Sequence, residues 1–223
     1  MVLLAVAPIG ACTGSIARVS VDKKPLVVET KYLEEAKEKS PVEPHEQAAT
    51  DWHFGCKTEF DFEIIDESKL GNEFLISVKV KKVKVSLEAP VVIWISRNAE
   101  NEVKEHEEAH VKICRRVYQN AEDVAKAACE KVFGREYQGS GATADEAAQK
   151  ALSVANQEIC QYYHNNLVEN VNRVSEIFDS LDPLHEKPVD EIVDMSFREY
   201  SKVRGTEAMP KEQVIERQGK GRL

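Results

Sequence analysis

The sequence predicts an α+β domain: a small antiparallel β-sheet packed on one helix and on a second long helix antiparallel to it. Three observations predict it. Between Phe60 and Leu87, apolar and polar residues alternate with the period of half-buried strands. From Asn98 to Phe133, and again from Thr143 to about Leu181, apolar residues recur every three or four positions, as on amphipathic helices. The stretch Gly134 to Ala142, with three glycines, separates the two helical runs and reads as a short turn between antiparallel helices.

The elements follow in chain order. Residues 1–12 form an apolar opening that ends in Ile9-Gly10-Ala11-Cys12. The run is too short to span a bilayer as a helix, and it has the length of a signal-peptide apolar region followed by small residues. Ile-Gly-Ala-Cys is similar to the lipobox of bacterial lipoproteins, in which the cysteine is acylated. Export is therefore expected, to the periplasm or anchored to the outer membrane, with Cys12 as the membrane attachment. Residues 13–50 are a polar leader with one strand expected near Leu26 to Thr30.

The principal domain is expected over residues 51–190. Phe60, Phe62 and Ile64 alternate with Asp61 and Glu63, and after Gly71-Asn72 the alternation resumes at Ile76, Val78 and Val80. It then changes phase at Lys81-Lys82 and continues as Val83, Val85 and Leu87. A slip of one residue would turn the apolar set to the wrong face, so a β-bulge or sharp bend is predicted there. Pro90 ends the run and Val91 to Ser96 forms a third strand.

Asn98 is the expected N-cap of the first helix, whose inward stripe includes Val103, His106, His110, Ile113 and Val117. Thr143-Ala144-Asp145-Glu146 reads as a capping box for the second. Residues 191–223 form a C-terminal extension with at most a short helix, ending in a basic, solvated tail. No internal repeat is visible.

Composition narrows the function classes. With 42% hydrophobic and 31% charged residues the chain is a globular protein rather than a disordered one. A formal net charge of −9 leaves no basic face for phosphates, so no nucleic-acid partner is expected. Apart from Cys12 there are four cysteines, an even number that in an oxidising compartment predicts two disulfides. Matching levels along two helices that turn near residue 138 pairs Cys114 with Cys160, which leaves Cys56 with Cys129.

His106-Glu107-Glu108-Ala109-His110 carries the chemistry. Residues four apart lie one turn apart on one helix face, so two imidazoles can reach a single zinc ion at about 2.0–2.1 Å. Glu107 then lies beside the open position, placed as the general base for a zinc-activated water attacking a carbonyl. The competing reading is a pair of satisfied core histidines, but both fall on the apolar stripe, where burying imidazoles without a partner is costly. The strand Val91 to Ser96, just before this helix, is expected to align an extended substrate.

Trp52, the HEEAH box and Phe178-Asp179 followed by His185 together resemble a family of exported bacterial domains labelled zinc-dependent peptidases, across about residues 50–190. The resemblance implies a zincin-like fold and peptide-bond hydrolysis. In that family the aromatic-Asp pair is followed by His-Gly or Asp-Gly; here His185 is followed by Glu186. Catalytic zinc needs a third protein ligand. His185 occupies the family's histidine position and is the favoured third ligand. His164 is second, since level-matching puts it near His110, and Asp179 is expected to orient a ligand. Glu169 falls on the wrong face, and Tyr162, Tyr163 or a histidine are candidates to stabilise the oxyanion, with nothing in the sequence to choose among them.

The function expected is thus a zinc metallopeptidase of the bacterial cell envelope acting on a peptide or protein substrate. Glu107 is its base, and His106, His110 and His185 are its metal ligands. The alternatives are a non-catalytic envelope scaffold with a structural zinc, or an amide hydrolase acting on cell-wall material.

Overall fold

The alternating residues of the strand after Gly71 organise the larger of the two sheets. In a computed structural model, which describes residues 18–35, 42, 46–181 and 187–207, they form β5, the centre of the larger of two sheets. The strands are β1 (Val19–Lys23), β2 (Val27–Tyr32), β3 (Ala48–Trp52), β4 (Gly55–Leu70), β5 (Glu73–Glu88), β6 (Pro90–Ile95) and β7 (Glu136–Gly141). The helices are α1 (Asn101–Tyr118), α2 (Ala121–Val132), α3 (Ala144–Tyr163), α4 (Glu169–Leu181) and α5 (Val189–Glu207). The mixed α+β class is as expected; the sheets are mixed rather than purely antiparallel.

β4 and β5 form a long hairpin closed by Gly71, whose φ of 63° suits a residue without a Cβ. The predicted bulge is present: Asp61 pairs with Lys82 and Phe62 with Val80, so Lys81 is the extra residue. The bulge lets Ile76, Val78 and Val80 before it, and Val83, Val85 and Leu87 after it, all face the same core with no exposure. It also divides the far edge of β5. β7 pairs antiparallel with Phe74–Lys79, and β1 pairs parallel with Val83–Leu87.

In the second sheet β6 is central, parallel to β2 and antiparallel to β3. The strand expected near Leu26 to Thr30 is β2; its parallel entry, with that of β1, makes both sheets mixed.

The helical pattern from Asn98 to Phe133 is two helices, broken at Gln119-Asn120, where Asn120 leaves the helical region (φ −87°, ψ 1°). Asn98 is not the cap; Glu100 holds that position in extended conformation and caps nothing with its side chain. The stretch Gly134 to Ala142 is the strand β7 with short turns at each end. Its glycines and polar residues hid the alternation, and they have a packing reason. A Cβ on Gly139 would lie 2.2 Å from the Ala147 carbonyl oxygen, and one on Gly141 would lie 2.7 Å from the Ala147 nitrogen. α3 therefore presses directly on the β7 backbone. Gly139→Ala is expected to destabilise the protein by about 1–3 kcal/mol, measured as a lower urea midpoint at unchanged slope.

Thr143 caps α3 by accepting from the Glu146 amide at 3.2 Å, and the Glu146 carboxylate accepts from the Ala142 amide at 2.9 Å, one residue before the position a capping box requires. α3 passes through a π-helical segment, His164–Val168, into α4, so the second helical run is one rod with a widened turn. α5 is longer than the short helix expected. It packs on α1 and α4, buries Ile192, Val193 and Ser196, and is tied to α1 by Lys112–Asp190 (2.6 Å) and Arg116–Asp194 (2.7 Å).

The cysteine pairings Cys114–Cys160 and Cys56–Cys129 are not found. Cys160 lies beside Cys56, while Cys114 and Cys129 are buried free thiols. Level-matching assumed a bare turn between two straight helices, whereas β7 and the break after Tyr118 shift one helical arm along the other. Among the described residues no helix is long and apolar enough to cross a membrane. Cys12 and the residues around it lie outside the described residues, as does the end of the basic tail.

Candidate metal centre

Three elements meet around the HEEAH box. α1 carries His106 and His110 one turn apart, as their spacing requires. α4 buries Phe178 completely, and this anchor puts Asp179, the next residue, over the two imidazoles. β3 alternates Thr50 and Trp52 towards α1: Thr50 reaches Glu107, and the Trp52 ring stacks on His110 with centroids 6.0 Å apart.

The polar atoms converge tightly. His106 Nε2 and His110 Nε2 are 3.3 Å apart, and Asp179 Oδ1 lies 3.3 Å from the first and 3.1 Å from the second. Donors held at about 2.0–2.1 Å around a tetrahedral zinc are separated by about 3.3–3.4 Å, so the three atoms have the spacing of one tetrahedral face. Two imidazoles and a carboxylate are also zinc's ordinary nitrogen and oxygen donors. Three electron-rich atoms this close repel one another unless a proton or a metal cation lies between them. The residues present therefore fit a metal ion.

The surroundings fix these side chains. Phe178 packs against both rings, with centroids at 5.0 Å from His106 and 5.3 Å from His110. The indole of Trp52 donates to Asn172 Oδ1 at 3.1 Å, which ties β3 to α4 beside the histidines. Glu107 is 6% exposed, and its Oε2 accepts from the Thr50 hydroxyl at 2.6 Å. Burial alone would push the Asp179 carboxyl up; hydrogen bonds and attraction from His106 and His110 outweigh it and hold the group well below the usual carboxylate range. The group opens on a cleft of about 480 Å3 lined by Glu46, Gln47, Ala48, Ala49, Thr50, Trp52, Val103, His106, Glu107, His110 and Asp179.

Several expectations need correction against this geometry. Asp179, expected to orient a ligand, supplies the third converging donor itself. His164 stands outside the group: its side chain is 55% exposed and lies 3.6 Å from Glu169. His185 lies outside the described residues. The strand Val91 to Ser96 corresponds to β6, which is paired on both edges and has no free edge for a substrate; β3 is the one of the sheet's two edge strands that lines the cleft. Tyr163 is buried in the core and Tyr162 lines a different cavity, so neither borders this cleft.

No family model matches this chain. No curated protein matches it, and no solved structure does. The sequence carries no signal for Thr50, a threonine in a polar leader, because its place depends on β3 lying beside α1. Trp52 is legible in the sequence only as a mark of the family resemblance. For Asp179 the signal was present, as an acidic residue directly after the last inward aromatic of a helical stripe.

Proposed function

We propose that this protein is a zinc-dependent hydrolase of amide bonds, acting on extended peptides laid along β3. The observation that carries the proposal is the convergence of His106 Nε2, His110 Nε2 and Asp179 Oδ1 next to the buried carboxylate of Glu107, in an open cleft. Zinc, when bound there, supplies Lewis acidity, polarising a carbonyl and making a water easier to deprotonate.

The residues divide the remaining work. His106, His110 and Asp179 would hold the metal, and three protein ligands leave a position open, the pattern of catalytic rather than structural zinc. Glu107 is held at Oε2 by Thr50, so Oε1 is the atom that accepts the proton of the attacking water and returns it to the leaving amine. Trp52 and Phe178 wall the histidines with aromatic faces and keep them from turning towards solvent. β3, unpaired along its outer edge among the described residues, offers backbone groups to a peptide in the manner of strand addition. The acidic rim of Glu46, Glu107 and Asp179 gives no support to an anionic substrate. The lipobox-like Ile9-Gly10-Ala11-Cys12 supports a place in a bacterial envelope, held by a lipid on Cys12.

Zinc analysis of the purified chain tests the reading. One zinc per chain is expected after reconstitution, kept in Glu107→Ala and lost in His110→Ala, with cleavage in a fluorogenic peptide panel that chelation abolishes. Chelation should also lower Tm by about 10 °C relative to protein in free zinc at ~1,000 times the zinc Kd, since a ligand bound only by the folded state stabilises it by mass action. A chain that takes up no zinc, or binds it and cleaves nothing in the panel, would sink the enzymatic reading.

A further inference from the structure

We propose that Cys56 and Cys160 are a disulfide site that clamps the start of β4 to α3. Cys56 is the second residue of β4 and Cys160 lies near the end of α3, and their sulfurs are 3.2 Å apart. A disulfide needs about 2.05 Å, so a closure of about 1.2 Å, within reach of small side-chain rotations, completes it. Both cysteines are partly exposed, whereas Cys114 and Cys129 have no exposure. An open cleft of about 270 Å3 reaches Cys56 between Lys24, His53 and Glu88.

The two thiols already share a hydrogen bond, Cys160 Sγ donating to Cys56 Sγ. One thiol of the pair, once deprotonated, attacks a sulfur of a small disulfide such as oxidised glutathione, forming a mixed disulfide and expelling one thiolate. The second thiol gives up its proton to that thiolate, and its sulfur attacks the cysteine sulfur of the mixed disulfide, expelling the second. The protein dithiol loses two electrons and two protons, and the small disulfide becomes two thiols. Burial pushes Cys114 up to about 12 and Cys129 up to about 11, so neither competes.

The clamp bears on the metal centre through its position. β4 starts three residues after Trp52, and α3 continues through the π segment into α4 with Asn172 and Asp179. A bond from Cys56 to Cys160 therefore holds the β3 side of the cleft against the rod that carries Asp179, whether or not the site binds zinc.

The test equilibrates the full chain in glutathione buffers of increasing potential, followed by iodoacetamide trapping and peptide mapping without reductant. The expected result is a cross-linked pair of peptides carrying Cys56 and Cys160, with Cys114 and Cys129 alkylated only after denaturation. Because the bridge closes a long loop, the oxidised chain should melt about 10 °C above the reduced one. Cys56→Ser and Cys160→Ser should each lose that redox-dependent shift. Cys56 and Cys160 both alkylated at the most oxidising potential, or a cross-link containing Cys114 or Cys129, overturns the proposal. The map of the unsubstituted chain decides the matter even if a serine variant fails to fold.

Discussion

Glu107→Gln is expected to lower kcat for peptide cleavage by about 10²–10⁴ while the protein keeps one zinc per chain, the span that general-base catalysis contributes. Glutamine preserves the size of the side chain and can still accept from Thr50, which holds Glu107 Oε2 at 2.6 Å, so the helix and its neighbours should not move. What it cannot do is take a proton at Oε1. The paired measurements are zinc content and steady-state kinetics on one peptide. Unchanged kcat with full zinc would remove Glu107 from the chemistry and leave the centre a structural or scaffold site.

Asp179→Ala is expected to weaken zinc binding by more than the 10–100-fold typical of a residue that only orients a ligand, and activity should fall with it. The geometry behind this is the 3.1–3.3 Å triangle in which Asp179 Oδ1 is one corner. His185→Ala, measured alongside, separates this assignment from the one the family resemblance favoured. Isothermal titration of zinc into the metal-free proteins gives the comparison directly. If His185→Ala loses zinc and Asp179→Ala keeps it, the carboxylate is an orienting group and the histidine the third ligand.

These two variants mark the boundary of what was legible. The pairing of His106 with His110 follows from a four-residue helical spacing, and Glu107 beside them follows from adjacency. Both depend on local geometry that any helix supplies. The bulge at Lys81 was legible for a similar reason: a two-residue period that changes phase must be repaired within the strand. Asp179 was harder, because its role depends on which turn of α4 meets which turn of α1. That register is set by the break at Gln119-Asn120, by β7 and by the π segment, and none of these leaves a strong periodic mark.

The strand that lines the cleft shows the same limit. The apolar run after Pro90, Val91 to Ser96, correctly signalled a strand, but such a run reports burial and says nothing about which edge is paired. β6 gains partners on both sides, because β2 and β3 fold onto it from the polar leader, and the free edge passes to β3. Cys56 and Cys160 meet for a comparable reason: α3 packs on β4, a contact across the chain that counting along two helices cannot reveal.

By itself the sequence determined the elements that short-range periodicity and capping specify: the β4–β5 hairpin with its bulge, the helix bearing the HEEAH box, and the Thr143 cap. Only the tertiary structure decided the third donor of the centre, the edge strand beside it and the cysteine that faces Cys160. Each of those depends on how two segments distant in sequence are brought into register. That register is set by the summed packing of whole faces, which the pattern within either segment does not encode.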